Sequence, residues 1–252
     1  MSDAESPPTS SSPILPAHPL VYAAVAIAVA LGLFALAMVL SRAVADVLVA
    51  VGVLGGPATV SRLLATTFAL QLLGFGLPAA LFVLARNEQP RAYFRLTSYD
   101  AWTAFYGTAV GLSLMILTVA ATVLFTVLGI SPAESTAGQA TDPAYYLVLF
   151  VVSAAVAVPM EELFFRGLLQ RRLTDGTHPI PAILLTSLLF ASIHSNISVG
   201  SGGAVLAFGL FVSFGVVLGV AYHRTKNLFV PITGHVVFNG VQILVRGLEV
   251  AV

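Results

Sequence analysis

The stretch "AYYLVLFVVSAAVAVPMEELFFRG", residues 144–167, decides the fold. From Ala144 to Met160 it carries no charge, and Glu161, Glu162 and Arg166 follow with no polar break. An apolar run of this length has the reach of a membrane-spanning helix. Ionisable groups inside such a helix are expensive, which makes them functional candidates by default.

The rest of the chain repeats the apolar pattern. Its 252 residues are 58% hydrophobic and 9% charged, with mean hydropathy +0.97. A soluble domain averages roughly 25% charged residues. Apolar runs at 20–41, 63–85, 101–130, 144–172, 181–196, 203–223 and 228–245, all charge-free except 144–172, predict an all-α, polytopic membrane helical bundle. Residues 43–61 are apolar but broken by Asp46 and Gly55-Gly56-Pro57, so they read as a short extra span, a re-entrant piece or a loop. The expectation is therefore seven or eight transmembrane helices in an integral, multi-pass protein of the cell membrane. Residues 1–19 are Ser/Pro-rich without a basic residue and read as a disordered tail. Residues 20–130 supply N-terminal helices of unassigned role, and 143–246 hold the polar set described below.

Several function classes drop out. Net charge is zero, so there is no basic footprint for nucleic acid. There is no cysteine, which excludes disulfides, thiolate metal sites and a cysteine nucleophile. Basic residues set the orientation. With seven spans and an inner N-terminus, Arg86, Arg91, Arg95, Arg171, Arg172, Arg224 and Lys226 fall on the inner side. Arg42, Arg62 and Arg246 fall outside. Gly107-x-x-x-Gly111 and Gly215-x-x-x-Gly219 permit close helix approach. They predict packing within one chain, and the oligomeric state stays open.

Within the last four spans the polar groups that stand out are Glu161, Glu162, Arg166, His194, His235 and Asn239. Glu162 and Arg166 are four apart and share a helix face, so they pair. Glu161 is rotated by about 100° from its neighbour and points elsewhere. That leaves it without an adjacent cation and suits it to general acid–base work. Pro159 has no N–H for the carbonyl of Ala155, so the helix is expected to kink there. Counted from the inner helix ends at 1.5 Å per residue, Glu161 lies roughly 16 Å deep and His194 about 22 Å. His235 and Asn239 follow at roughly 12 and 18 Å. Three helices thus bring polar groups to a similar level, where each added group must itself be satisfied. His18, His178 and His223 lie in the tail, in a loop and at a helix end, and read as non-catalytic.

Glu161-Glu162-x-x-x-Arg166-Gly167, Phe190-x-x-x-His194 and His235-x-x-x-Asn239, in that order on apolar helices, resemble the CPBP family. This family of CAAX proteases and bacteriocin-processing enzymes, also called Abi, includes the type II CAAX prenyl endopeptidases. The resemblance spans roughly residues 143–246. It implies an intramembrane endopeptidase in which Glu161 and His194 activate water while His235 and Asn239 stabilise the oxyanion. Glu162, Arg166 and Phe190 then fall at supporting positions. Substrates would be peptides or proteins met in the bilayer, lipidated ones of the C-a-a-X type among them.

The chemistry is coherent on its own terms. Peptide hydrolysis needs a base for water, donors for the oxyanion and a proton for the leaving amine. The expectation is a metal-free site. A two-histidine, one-carboxylate zinc set of Glu161, His194 and His235 is the other possibility, although no His is followed by Glu, so H-E-x-x-H is absent. The alternative function is a non-proteolytic membrane scaffold or immunity-type protein that retains the fold. A transporter using the glutamates as a proton relay fits less well, because the polar residues cluster in one half and no repeat is visible.

Overall fold

The computed structural model describes residues 19–55, 58–130, 140–176, 178–194 and 202–252. The proposed tail at 1–18 and nearly all of the expected outer loop at 131–143 lie outside these residues. The described residues are all helical, with no strand. Seven helices have 16 residues or more: α1 (Pro19–Ala50), α2 (Val60–Ala85), α3 (Ala101–Val127), α4 (Pro143–Gly176), α5 (Pro179–His194), α6 (Gly202–Thr225) and α7 (Phe229–Ala251). Five of them, α2, α3, α4, α6 and α7, are long and apolar enough to cross a membrane. The other two expected crossings fall on α1 and on α5, which is shorter at 16 residues. The protein is a multi-pass helical bundle.

Among the described residues of 43–61 there is no separate crossing helix. Residues 43–50 continue α1, whose exposed Asp46 sits on its last turns, and turns and a bend follow from Val51. Nothing between Arg42 and Asp46 ends the helix, since neither glycine nor proline occurs from Arg42 to Val51.

Two of the three long helical irregularities have a visible cause. α2 widens into π-helical turns at Ala69–Gly76, just before Pro78, and α4 does so at Ser153–Ala157, just before Pro159. A proline ring crowds the carbonyl four residues back, and a widened turn relieves that crowding. The predicted disturbance at Pro159 thus takes the form of a π segment. A second one, Leu163–Gln170, follows the two glutamates and contains no proline.

Small residues set the helix contacts. A Cβ on Gly111 would lie 2.7 Å from the carbonyl oxygen of Gly234, and one on Gly107 would lie 2.4 Å from Thr233. α3 and α7 therefore meet backbone to backbone. A Cβ on Gly215 would lie 2.7 Å from Ser187, which draws α6 onto α5. Both glycine spacings are thus used within the chain.

The cations assigned to the inner side gather at one end of the bundle. The Leu228 N–H donates to the Arg95 carbonyl at 3.1 Å. Arg171 donates to the Ala92 carbonyl at 3.3 Å and lies 4.3 Å above the Tyr93 ring. Lys226 Nζ lies 3.1 Å from His223 Nδ1 at the same end. His223 and the exposed His178 are therefore remote from the glutamates.

Candidate active site

Glu161 and Glu162 lie in a short α-helical turn, Val158–Glu162, between the two π segments of α4. Both are buried, and they serve different networks. Glu162 Oε1 accepts from Arg166 Nη1 at 2.9 Å and is paired with His235 Nδ1 at 2.8 Å. Glu162 is fully buried and Arg166 is 1% exposed. Arg166 also donates to the Gly215 carbonyl at 3.4 Å and sits 4.7 Å above the Phe190 ring. This ion cluster joins α4 to α5, α6 and α7.

Glu161 has a looser set of partners. Its Oε1 accepts from Gln71 Nε2 of α2 at 2.8 Å. Its Oε2 lies 3.5 Å from His194 Nε2 at the end of α5. His194 Nδ1 is 2.8 Å from the Phe190 carbonyl, which can only accept. That contact assigns the proton to Nδ1 and leaves Nε2 as the nitrogen facing the carboxylate. The imidazole stacks on the Phe190 ring at 4.1 Å, with 28° between the planes. Phe190 therefore supports Arg166 and His194 at once.

Asn239 lies one turn beyond His235 on α7, and its Nδ2 reaches Ser153 Oγ at 3.4 Å. Glu161, His194, His235 and Asn239 line one cavity of about 80 Å³, walled otherwise by Leu114, Leu218 and aromatic rings including Phe211, Phe214 and Phe238. A cavity of this size and polarity holds water. Five helices, α3 to α7, contribute to it.

The structure thus brings together Glu161, Glu162, Arg166, Phe190, His194, His235 and Asn239. It alters one link. Spacing pairs Glu162 with Arg166 alone, whereas Glu162 also holds His235 Nδ1. The ring nitrogen left to the cavity is Nε2. Gln71 was missed. Its signal was a single amide in the middle of the uncharged run 63–85, outside the part of the chain that carries the motifs.

Residues 143–241 match the family model described as type II CAAX prenyl endopeptidase Rce1-like. The C-terminal part of the chain is similar to this family. Among curated proteins, the "Putative membrane peptidase YdiL" of Bacillus subtilis (strain 168) is 25% identical over 99 residues. The match covers 39% of this chain and 37% of that relative's length. No solved structure matches. The matched stretch includes α4 to α6 and the part of α7 that bears His235 and Asn239, and Gln71 lies outside it.

The zinc set finds no support in the donor geometry. Among the described residues no three His, Cys, Asp or Glu side chains are grouped to share an ion. His235 already turns Nδ1 to a different carboxylate from the one that faces His194.

Proposed function

We propose that this protein is an intramembrane endopeptidase that hydrolyses a peptide bond with water activated by Glu161 and His194. The observation that carries the reading is the meeting of Glu161, His194, His235 and Asn239 at one cavity inside an apolar bundle. The Rce1-like match supports the same reaction class, and C-a-a-X-type peptides, lipidated or not, are the substrates to try first.

In this mechanism a water in the cavity gives a proton to the Glu161–His194 pair, and its oxygen forms a bond to the scissile carbonyl carbon. Negative charge moves to the carbonyl oxygen. Asn239 Nδ2 and protonated His235 Nε2 donate to it, and Glu162 stabilises the imidazolium through Nδ1. Fixed donors aimed at developing charge in a water-poor site are the most effective kind of stabilisation. Collapse breaks the C–N bond, and the leaving amine takes the proton held by the Glu161–His194 pair. No step calls on a metal ion.

The test is cleavage of a quenched peptide library by the purified, reconstituted protein, with and without a chelator. Cleavage should persist with chelator. Glu161→Ala and His194→Ala should each lower the rate by at least about 100-fold, the low end of what a general base contributes. Variants that cut at the wild-type rate would refute the assignment. Loss of activity with chelator, restored by zinc, would refute the metal-free mechanism.

A further inference from the structure

The N-terminal helices carry none of the motifs, yet one of them touches the carboxylate at the centre of the site. Gln71 lies in the π-helical stretch of α2 and is 6% exposed. Its Nε2 donates to Glu161 Oε1 at 2.8 Å across a separation of 90 residues. Its Oε1 is buried and has no hydrogen-bond partner among the described residues. A primary amide with an orphaned oxygen costs free energy in an apolar interior. Such an arrangement argues that the other end of the amide matters.

The backbone is shaped to deliver this contact. A Cβ on Gly76 would come within 2.9 Å of Met160 Sδ, so α2 and α4 run close beside the glutamates. The wide turns fall on both helices at this level, Ala69–Gly76 on one and Ser153–Ala157 on the other. Insertions of this kind recur at functional sites because they re-aim side chains.

From this geometry we propose that Gln71 is a positioning residue for Glu161, fixing the carboxylate so that Oε2 faces His194 and takes the proton. The inference deepens the peptidase reading and rests on it for its rate readout. An N–H donor occupies Oε1 in the resting carboxylate. When water gives up its proton, Oε1 keeps that bond and Oε2 becomes the favoured place for the proton. There it lies 3.5 Å from His194 Nε2, within the pair that returns it to the leaving amine. A neutral amide suits this role. Lysine at position 71 would hold the carboxylate charged and make it a poorer base, whereas an amide serves both protonation states. The titratable and charged groups around Glu161 are His194 from α5, His235 from α7, and Glu162 and Arg166 on its own helix. Gln71 adds orientation without adding charge.

The test compares Gln71→Leu and Gln71→Glu with wild type in liposomes. Gln71→Leu should lower kcat by about 10- to 100-fold, the cost of a misplaced catalytic group, with KM changed little. The acidic limb of its pH–rate profile should move to higher pH, because the ionised carboxylate loses a donor. Gln71→Glu should recover rate toward low pH, where its own carboxyl carries a proton to donate. A merely structural role for Gln71 predicts lower stability with an unmoved pH profile, and that result would overturn the proposal. A second readout needs no substrate. The infrared carboxyl band of Glu161, identified by its loss in Glu161→Gln, should titrate at higher pH in Gln71→Leu. An unshifted titration refutes the role of Gln71, whereas a shifted one in a protein that cleaves no peptide refutes the peptidase reading alone.

Discussion

Two adjacent glutamates in one helical turn have opposite surroundings. Glu162 is fully buried and shares one oxygen between Arg166 and His235, at 2.9 and 2.8 Å. Glu161 is tied by one neutral amide, and its other oxygen meets His194 at 3.5 Å beside a cavity. The first is a closed ion cluster with its geometry fixed from several helices. The second keeps an oxygen available for a proton. A rotation of about 100° along one helix is enough to separate a structural carboxylate from a reactive one. His235 belongs to both sides, with Nδ1 in the cluster and its ring on the cavity wall, so the closed side orients the open one.

The strongest way to break this contrast is to remove the cation. Arg166→Met leaves Glu162 buried without its guanidinium partner. Breaking a buried pair from one side costs about 3–5 kcal/mol, a large fraction of the net stability of a typical domain. Thermal unfolding in detergent should show a large drop. The double variant Glu162→Leu/Arg166→Met should recover most of that loss, because apolar replacements of a buried pair are often neutral. It should not recover cleavage, since His235 loses the group that orients it. A double variant with wild-type activity would show that Glu162 does nothing for the cavity.

A smaller effect is expected from the helix contact that sets the position of His235. Gly111→Val puts side-chain atoms where α7 presents the Gly234 carbonyl, 2.7 Å from a Cβ. Backbone has to move, and overpacking of this kind costs typically about 1–3 kcal/mol. Because Gly234 directly precedes His235, cleavage should fall further than stability alone explains. Equal losses for Gly111→Val and for a control such as Gly209→Val, where a Cβ meets nothing within 4 Å, would remove α3–α7 contact from the account.

Much of the bundle was legible because hydropathy and charge report burial directly. The Glu162–Arg166 pair followed from spacing on one helix, which needs no tertiary knowledge. Other features were hidden for physical reasons. The His235–Glu162 contact depends on how α7 is rotated against α4, and that rotation is set by glycine contacts distant in sequence. Gln71 was overlooked because it is neutral, so it does not stand out as an ionisable residue does in an apolar span. The π segment before Pro159 was half visible: the proline announced a disturbance but not its form. At 43–50 the expectation stumbled on Asp46. A single charge on an exposed helix face does not end a helix, and α1 runs through it.

The finest distinction concerns Asn239. Its amide reaches Ser153 Oγ at 3.4 Å, a long contact at the edge of hydrogen-bonding range. Two roles are consistent with that geometry. In one, Asn239 locks α7 to α4 through Ser153. In the other, the long bond is a resting contact that the amide exchanges for the oxyanion. The roles separate on comparing Asn239→Ala with Ser153→Ala. If Asn239 acts on the oxyanion, its loss should lower kcat by about 100-fold with little change in KM, as expected for a transition-state donor. Removing the Ser153 hydroxyl should then change the rate by less than about threefold, since a weak neutral bond is worth roughly 0.5 kcal/mol. If the contact is a lock, both variants should lose stability together and their kcat values should fall alike. The open side of the pair would then keep Glu161 and His194 as its reactive groups and lose one of its two oxyanion donors.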